Sequence, residues 1–167
     1  MFQKISDFHT TYEHFTSGTL KLLEALDNAC LSCSAAPGHR TLGQVAWHIV
    51  TTIPEMMSKT GLPLSAIPHD APPPAKATEI VSAYRKVSGE LARAVKENWT
   101  DASLQVADDL YGEKWLRGMT LRILLDHEIH HRGQMTVLMR HAGVAVPGIY
   151  GPAKEDWVKM GMQPPQF

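Results

Sequence analysis

Long hydrophobic runs are missing from this chain. No apolar stretch reaches the roughly 18 residues that a membrane-spanning helix needs, and the opening MFQKISDFHTTYEHF has no apolar core of a secretory leader. A soluble, cytoplasmic protein with no membrane partner is expected. An excess of one charge is missing too: 16 Lys and Arg stand against 17 Asp and Glu, a net charge of −1. Without a basic stripe to neutralise phosphates, a nucleic-acid partner is not expected. Cysteine is scarce. Cys30 and Cys33 form a CLSC with His39 nearby, a spacing that suits a redox pair or half a zinc site. No second CxxC follows, and the pair falls in a loop between helical patterns, which equally suits two small loop residues.

What is present is enough for one globular domain over residues 1–167: 44% hydrophobic and 20% charged residues. The apolar spacing is helical almost throughout. Phe8, Phe15, Leu22, Leu23 and Leu26 mark a first helix over 8–28. Thr41 and Gln44 form a capping box that opens a second helix, running to about Lys59, with Pro54 expected to kink or break it. A proline-rich connection, 61–77, leads to a third helix from Thr78 to Trp99 along Ile80, Val81, Tyr84, Val87, Leu91 and Val95. A short extended pair is expected around Tyr111-Gly112. A fourth helix, Thr120 to His141, ends at Gly143, and a short one follows with Pro152 as its first residue. The fold class is therefore all-α, a four-helix bundle with a short C-terminal helix. The long second connection allows an up-down-down-up order.

The segment LLDHEIHHRGQM crowds His127, His130 and His131 into five positions, in a chain with nine histidines. At about 100° per residue, His131 falls about 40° from His127, on a stripe with Leu124, Ile123, Gln134 and Leu138; His130 falls at about −60°, on its shoulder. Two imidazoles at i and i+4 can face one metal ion. The same pair also suits one core histidine beside a surface one. In QVAWHIV, His48 is buried among Val45, Ile49 and Thr52, and three buried imidazoles are costly unless each finds a partner. One shared divalent cation would satisfy His48, His127 and His131 together. Gln44, Thr51 and Thr52 lie about a turn from His48, and His130 and Gln134 about a turn from the other two, as candidates to hold the ligands' second nitrogens. His9, His14, His39, His69 and His141 have no such context and read as solvated. With no fourth protein ligand in view, the arrangement is that of a catalytic site with an open position. Imidazole-only ligation does not choose among zinc, nickel, cobalt, copper and iron.

A histidine in the second helix, HxxxHRGQ in the fourth and the closing VPGIYGPxxExW…G resemble the DinB/YfiT-like family over essentially the whole chain. That resemblance implies an up-down-down-up bundle, frequent homodimers, and a zinc, nickel or similar ion on three histidines, which map to His48, His127 and His131. Characterised members include thiol-dependent transferases and isomerases, such as mycothiol-dependent maleylpyruvate isomerase and bacillithiol transferase. It therefore implies a small-molecule substrate and a low-molecular-weight thiol as a further cofactor. A metal-dependent hydrolase and a non-catalytic metal-binding stress-response protein are the alternatives. For hydrolysis a carboxylate base is wanted; Glu55, Asp126 and Glu128 are all expected as solvated or ion-paired surface groups. Leu121, Leu125, Ile129, Thr136 and Met139 form a second apolar stripe on the fourth helix, which either packs inside the chain or meets a second copy.

Overall fold

The computed structural model describes residues 1–68 and 70–166, so His69 lies outside the described residues. Five α-helices and a two-stranded hairpin follow in order: α1 Ile5–Glu24, α2 Leu42–Ser58, α3 Ala77–Asn98, β1 Ala107–Leu110, β2 Glu113–Leu116, α4 Arg117–His141 and α5 Lys154–Lys159. Among the described residues no helix is long and apolar enough to cross a membrane.

Contacts at the helix ends fix the direction of each helix. Phe2 N–H donates to Gly118 O at 3.0 Å, so α1 and α4 start at the same end. Arg85 near the start of α3 pairs with Glu24 at the end of α1, so these two run antiparallel. The Arg117 guanidinium at the start of α4 donates to Thr60 O just beyond α2 (3.2 Å), which makes α2 antiparallel to α4. The order is up-down-down-up, and residues 59–76 retrace the bundle's length. Around the bundle α1 neighbours α3 and α4, while α2 packs on α3 and α4.

The apolar stripes account for this packing. On α3, Ile80, Tyr84, Val87, Leu91 and Val95 are all buried at the spacing of one helix face. Helix α4 is buried on two sides, by Leu124, His131 and Leu138 on one and by Leu121, Leu125, Glu128 and Met139 on the other. The second stripe is thus largely consumed within the chain: Leu121, Leu125 and Met139 are buried, Ile129 and Thr136 half-buried.

Several boundaries shift. The first helix starts at Ile5 and stops at Glu24, because Asp27 turns back to accept from Cys30 N–H (2.8 Å) and opens a short 3₁₀ turn instead. Pro54 does not end α2, which continues to Ser58. The fourth helix begins three residues early, at Arg117. Pro152 precedes the N-cap of α5 rather than starting it; the first turn is organised by Asp156, whose carboxylate accepts from the Ala153 and Gly148 amides (3.0 and 3.1 Å). The expected capping box is present, with Thr41 and Gln44 accepting from each other's backbone N–H. The extended pair is also present: Tyr111 and Gly112, with φ of 55° and 86°, turn β1 into β2.

Candidate metal centre

Antiparallel packing of α2 on α4 sets His48 opposite His127 and His131. The three rings converge through one kind of atom. His127 Nε2 lies 3.3 Å from His48 Nε2 and 3.1 Å from His131 Nε2. Ring centroids are 4.4 to 5.0 Å apart, with the planes at 67° to 89°. Among the described residues this is the one group of three or more His, Cys, Asp or Glu whose ligand atoms all approach within 4.8 Å.

A metal ion fits this geometry better than hydrogen bonding does. A neutral ring nitrogen offers one in-plane proton or one in-plane lone pair, not both. His127 Nε2 therefore cannot donate to one neighbour and accept from the other. Donors about 2.0–2.1 Å from a tetrahedral centre stand about 3.3–3.4 Å apart, close to both observed separations. Burial, then the charges of His131, His130 and Arg40, push His127 down to about 4, against a smaller upward pull from Glu55. His131 is also lowered, by burial first, with His130 and Arg40 acting the same way and Gln134 opposing. Neutral imidazoles are the form that binds metal.

The residues expected to support the ligands divide. Gln134 Oε1 lies 2.8 Å from His131 Nδ1, where it holds the proton on Nδ1 and leaves Nε2 bare. His130 is exposed; its ring stands edge-on to that of His131 (centroids 5.0 Å apart) and its Nε2 lies 3.0 Å from Gln134 Nε2. The Thr52 hydroxyl donates to His48 O at 2.8 Å and fixes the backbone. Gln44 is occupied at the helix cap by Thr41 N–H (2.8 Å). Helical spacing alone placed Thr52 and Gln44 near His48, but α2's own backbone claims both side chains.

Cys30 and Cys33 are free and stand apart from the imidazoles. The Cys30 thiol contacts Asp27 O (3.1 Å) and burial raises its pKa; the Cys33 thiol faces Leu138 O (3.6 Å). His14, His39 and His141 are exposed as expected, but His9 is half-buried beside Phe8, and its Nε2 finds no partner among the described residues.

One of the three carboxylates, Glu128, departs from the expected surface position. Glu128 is buried, because its direction on α4, about 100° from His127, points at α1 and α3 rather than at solvent. It accepts from the hydroxyls of Thr19 and of Tyr84 (2.7 Å to the latter), and burial raises its pKa against those two bonds and the nearby Arg132. Glu55 pairs with Lys59 at 3.1 Å and accepts from the Tyr111 hydroxyl at 2.7 Å, so the hairpin tip closes over the end of α2. Asp126 is exposed and paired with Arg122.

Arg40 was not a sequence candidate. The loop before α2 is closed by a bridge between Ser34 and Thr41 and by Leu42 N–H donating to Cys33 O at 2.7 Å, which leaves Arg40 beside the cluster. Two cavities adjoin the imidazoles, and Arg40 lines both. One, about 410 Å³, reaches His131 and Gln134; the other, about 340 Å³, reaches His48 and Trp47.

The match to known proteins covers the whole site. The DinB family model matches residues 1–165. YrdA of Bacillus subtilis (strain 168), an uncharacterised protein, is 42% identical over 167 residues, the full length of both chains. The crystal structure of a DinB-like protein from Bacillus cereus ATCC 10987 is similar at 45% identity and a TM-score of 0.87, covering 90% of this chain and all of that one. A second DinB-like crystal structure, YjoA of Bacillus subtilis, shares the fold at 21% identity and a TM-score of 0.66, over 86% of this chain and 96% of the other.

Proposed function

The chain belongs to the DinB family, and from that premise we propose that it is a metal-dependent enzyme. His48, His127 and His131 hold a divalent ion, zinc or nickel, and the chemistry uses a low-molecular-weight thiol: either its sulfur is transferred to a small electrophile, the thiol proton and any leaving group departing, or it adds to the substrate and is released again on isomerisation. The observation that carries this reading is the convergence of three Nε2 atoms, at 3.1 and 3.3 Å from the central one, between two open cavities. A divalent ion on three neutral ligands keeps its double charge and acidifies a thiol or water placed beside it.

The chain's own residues have separable tasks. Gln134 fixes the ring of His131 with its Nε2 toward the centre. Burial keeps His127 unprotonated at neutral pH. Thr51 and Thr52 donate to His48 O (3.3 and 2.8 Å) and hold the turn of α2 that carries the third ligand.

Hydrolysis is the weaker reading. Its general base would be a carboxylate next to the open position, whereas Glu55 is engaged by Lys59 and Tyr111 and Glu128 by Thr19 and Tyr84. A non-catalytic metal site would be coordinatively closed; three protein ligands flanked by cavities favour turnover. We also propose a homodimer, on the family resemblance alone, which sedimentation of the metal-loaded protein reads directly.

The first test is elemental mass spectrometry of untagged wild type and His127→Ala. About one ion per chain in the wild type, lost in the variant, is expected. A screen of small thiols against a haloarene or bimane electrophile follows, with activity expected only in the metal-loaded wild type. No ion in either protein, and none taken up from added zinc or nickel, would overturn the reading.

A further inference from the structure

We propose that the substrate or thiol of this centre carries a carboxylate or similar anionic group on an apolar body, and that Arg40 seats that group in the larger of the two cavities. The inference rests on the metal-site reading above and adds what the site selects.

Arg85, Arg117, Arg122 and Arg140 each hold a carboxylate. Arg40 forms no ion pair with a carboxylate among the described residues, although it is the arginine that lines both cavities of the centre. Its side chain is exposed, but the backbone that carries it is anchored. The Ser34–Thr41 bridge and the Thr41 cap of α2 fix the backbone on its C-terminal side. An exposed guanidinium on that anchored backbone, with no ion pair among the described residues, is suited to two parallel hydrogen bonds with a carboxylate.

The two cavities differ in what else they offer. The larger is lined by Arg40, His39 and Gln134 on its polar side and by Val45, Val137 and Leu138 on the other, with no carboxylate in its lining. The smaller carries Asp70 at its rim, together with Gln44, Trp47 and prolines. An anion is repelled at Asp70 and is not repelled beside His39 and Gln134, so the charge belongs in the larger cavity. There an apolar chain can lie along Val137 and Leu138 while the reacting atom reaches the edge of His131. The smaller cavity is then left for the second reactant, on the other side of the imidazoles.

Phenylacetate and its uncharged isostere phenylacetamide serve as probes. Each is titrated into cobalt-loaded wild type, Arg40→Gln and Arg40→Lys, followed by the visible spectrum of the cobalt and by calorimetry, with metal stoichiometry measured for each protein. We expect phenylacetate to bind the wild type about ten-fold more tightly than phenylacetamide. Arg40→Gln should keep its metal and lose the preference; Arg40→Lys should restore part of it. A preference that survives in Arg40→Gln would mean that the metal itself takes the carboxylate, and would overturn the assignment. Equal binding of the two probes, or none by either, overturns it as well and leaves the metal site standing. Failure of the wild type to take up any metal would overturn both readings together.

Discussion

Gln134 Oε1 stands 2.8 Å from His131 Nδ1, three residues along the same helix, and its amide nitrogen stands 3.0 Å from His130 Nε2. On the proposed metal reading, this one side chain divides the crowded HxxHH pattern into His131 as ligand and His130 as support. A proton held on Nδ1 is the tautomer in which Nε2 can bind an ion, and a carbonyl at Nδ1 favours it. Gln134→Ala is expected to weaken zinc binding by about 10- to 100-fold, as loss of a ligand's outer hydrogen bond typically does. Gln134→Glu, which keeps an acceptor there, should retain most of the affinity. Competition titrations against a chromophoric chelator at pH 7.5 distinguish the two, whereas His130→Ala should cost less than Gln134→Ala.

The imidazole cluster makes the metal-free protein sensitive to acid. His127 titrates near 4 in the folded chain against an ordinary value of 6.5, with burial the main cause, and His131 is lowered as well. As pH falls below 6.5 the unfolded chain takes up these protons first. The cluster's contribution to stability is therefore complete above about pH 6.5 and is lost as pH falls toward 4. Urea midpoints of the metal-free protein should decline over that window, and less steeply in His127→Ala. Zinc at a hundred times its dissociation constant should raise the unfolding free energy at pH 7.5 by about 2.7 kcal/mol, and the midpoint with it, and lose that gain on acidification as protons displace the ion. A midpoint unchanged by zinc at pH 7.5 would argue against a site that binds the native state.

Much of this was legible in the chain itself, for a physical reason. Helical periodicity reports which face of a helix is apolar, so the α3 stripe from Ile80 to Val95, the pairing of His127 with His131 and the inward position of His48 could all be read from spacing. Periodicity does not report how many faces a helix buries. Glu128 looked solvent-exposed because it left the histidine stripe, yet α4 is covered on that side by α1, and Tyr84 of α3 reaches across to it. Spacing also cannot say which partner a polar side chain chooses. Gln44 and Thr52 sat a turn from His48, but the helix cap and the His48 carbonyl took them. Arg40 was silent for another reason: a loop residue has no period, and its place depends on the Ser34–Thr41 bridge.

Glu128 tests the distinction between structure and site. Its carboxylate collects the hydroxyls of Thr19 and Tyr84 in the core, with Arg132 nearby as a counter-charge. Arg132 donates onward to Phe15 O (3.2 Å) and to the Tyr150 hydroxyl (2.7 Å), which ties the closing segment of the chain to α1 and α4. Glu128→Ala leaves two hydroxyls without their acceptor in a buried space and should cost about 2–4 kcal/mol. Glu128→Gln keeps an acceptor and should cost less. Neither should lower the metal stoichiometry of the folded protein, since the side chain points away from the imidazoles. Denaturant unfolding with parallel metal analysis checks both halves; loss of metal from folded Glu128→Gln would place Glu128 in the centre after all.

Two glycines of α4 should answer the same substitution with opposite signs. A Cβ on Gly118 would stand 2.3 Å from the carbonyl oxygen of Phe2, a backbone atom that is itself fixed by the Phe2 N–H to Gly118 O bond at 3.0 Å. Gly118→Ala must push the N-terminal segment off α4 and is expected to cost about 1–3 kcal/mol. It should also expose residues 1–4 to proteolysis, because Phe2 packs edge-on against Phe8 at 5.5 Å and would leave with them. Gly133, within the HRGQ motif, meets nothing within 4 Å of an added Cβ and has ordinary helical backbone. There Ala removes unfolded-chain entropy at no steric cost, and Gly133→Ala should stabilise by about 0.5–1 kcal/mol. A glycine that sits next to Gln134 yet gains stability when replaced is present for something other than folding. Denaturant unfolding of Gly133→Ala with parallel metal analysis is the check: a stabilised protein with unchanged metal content is expected, and a destabilised one would overturn the assignment.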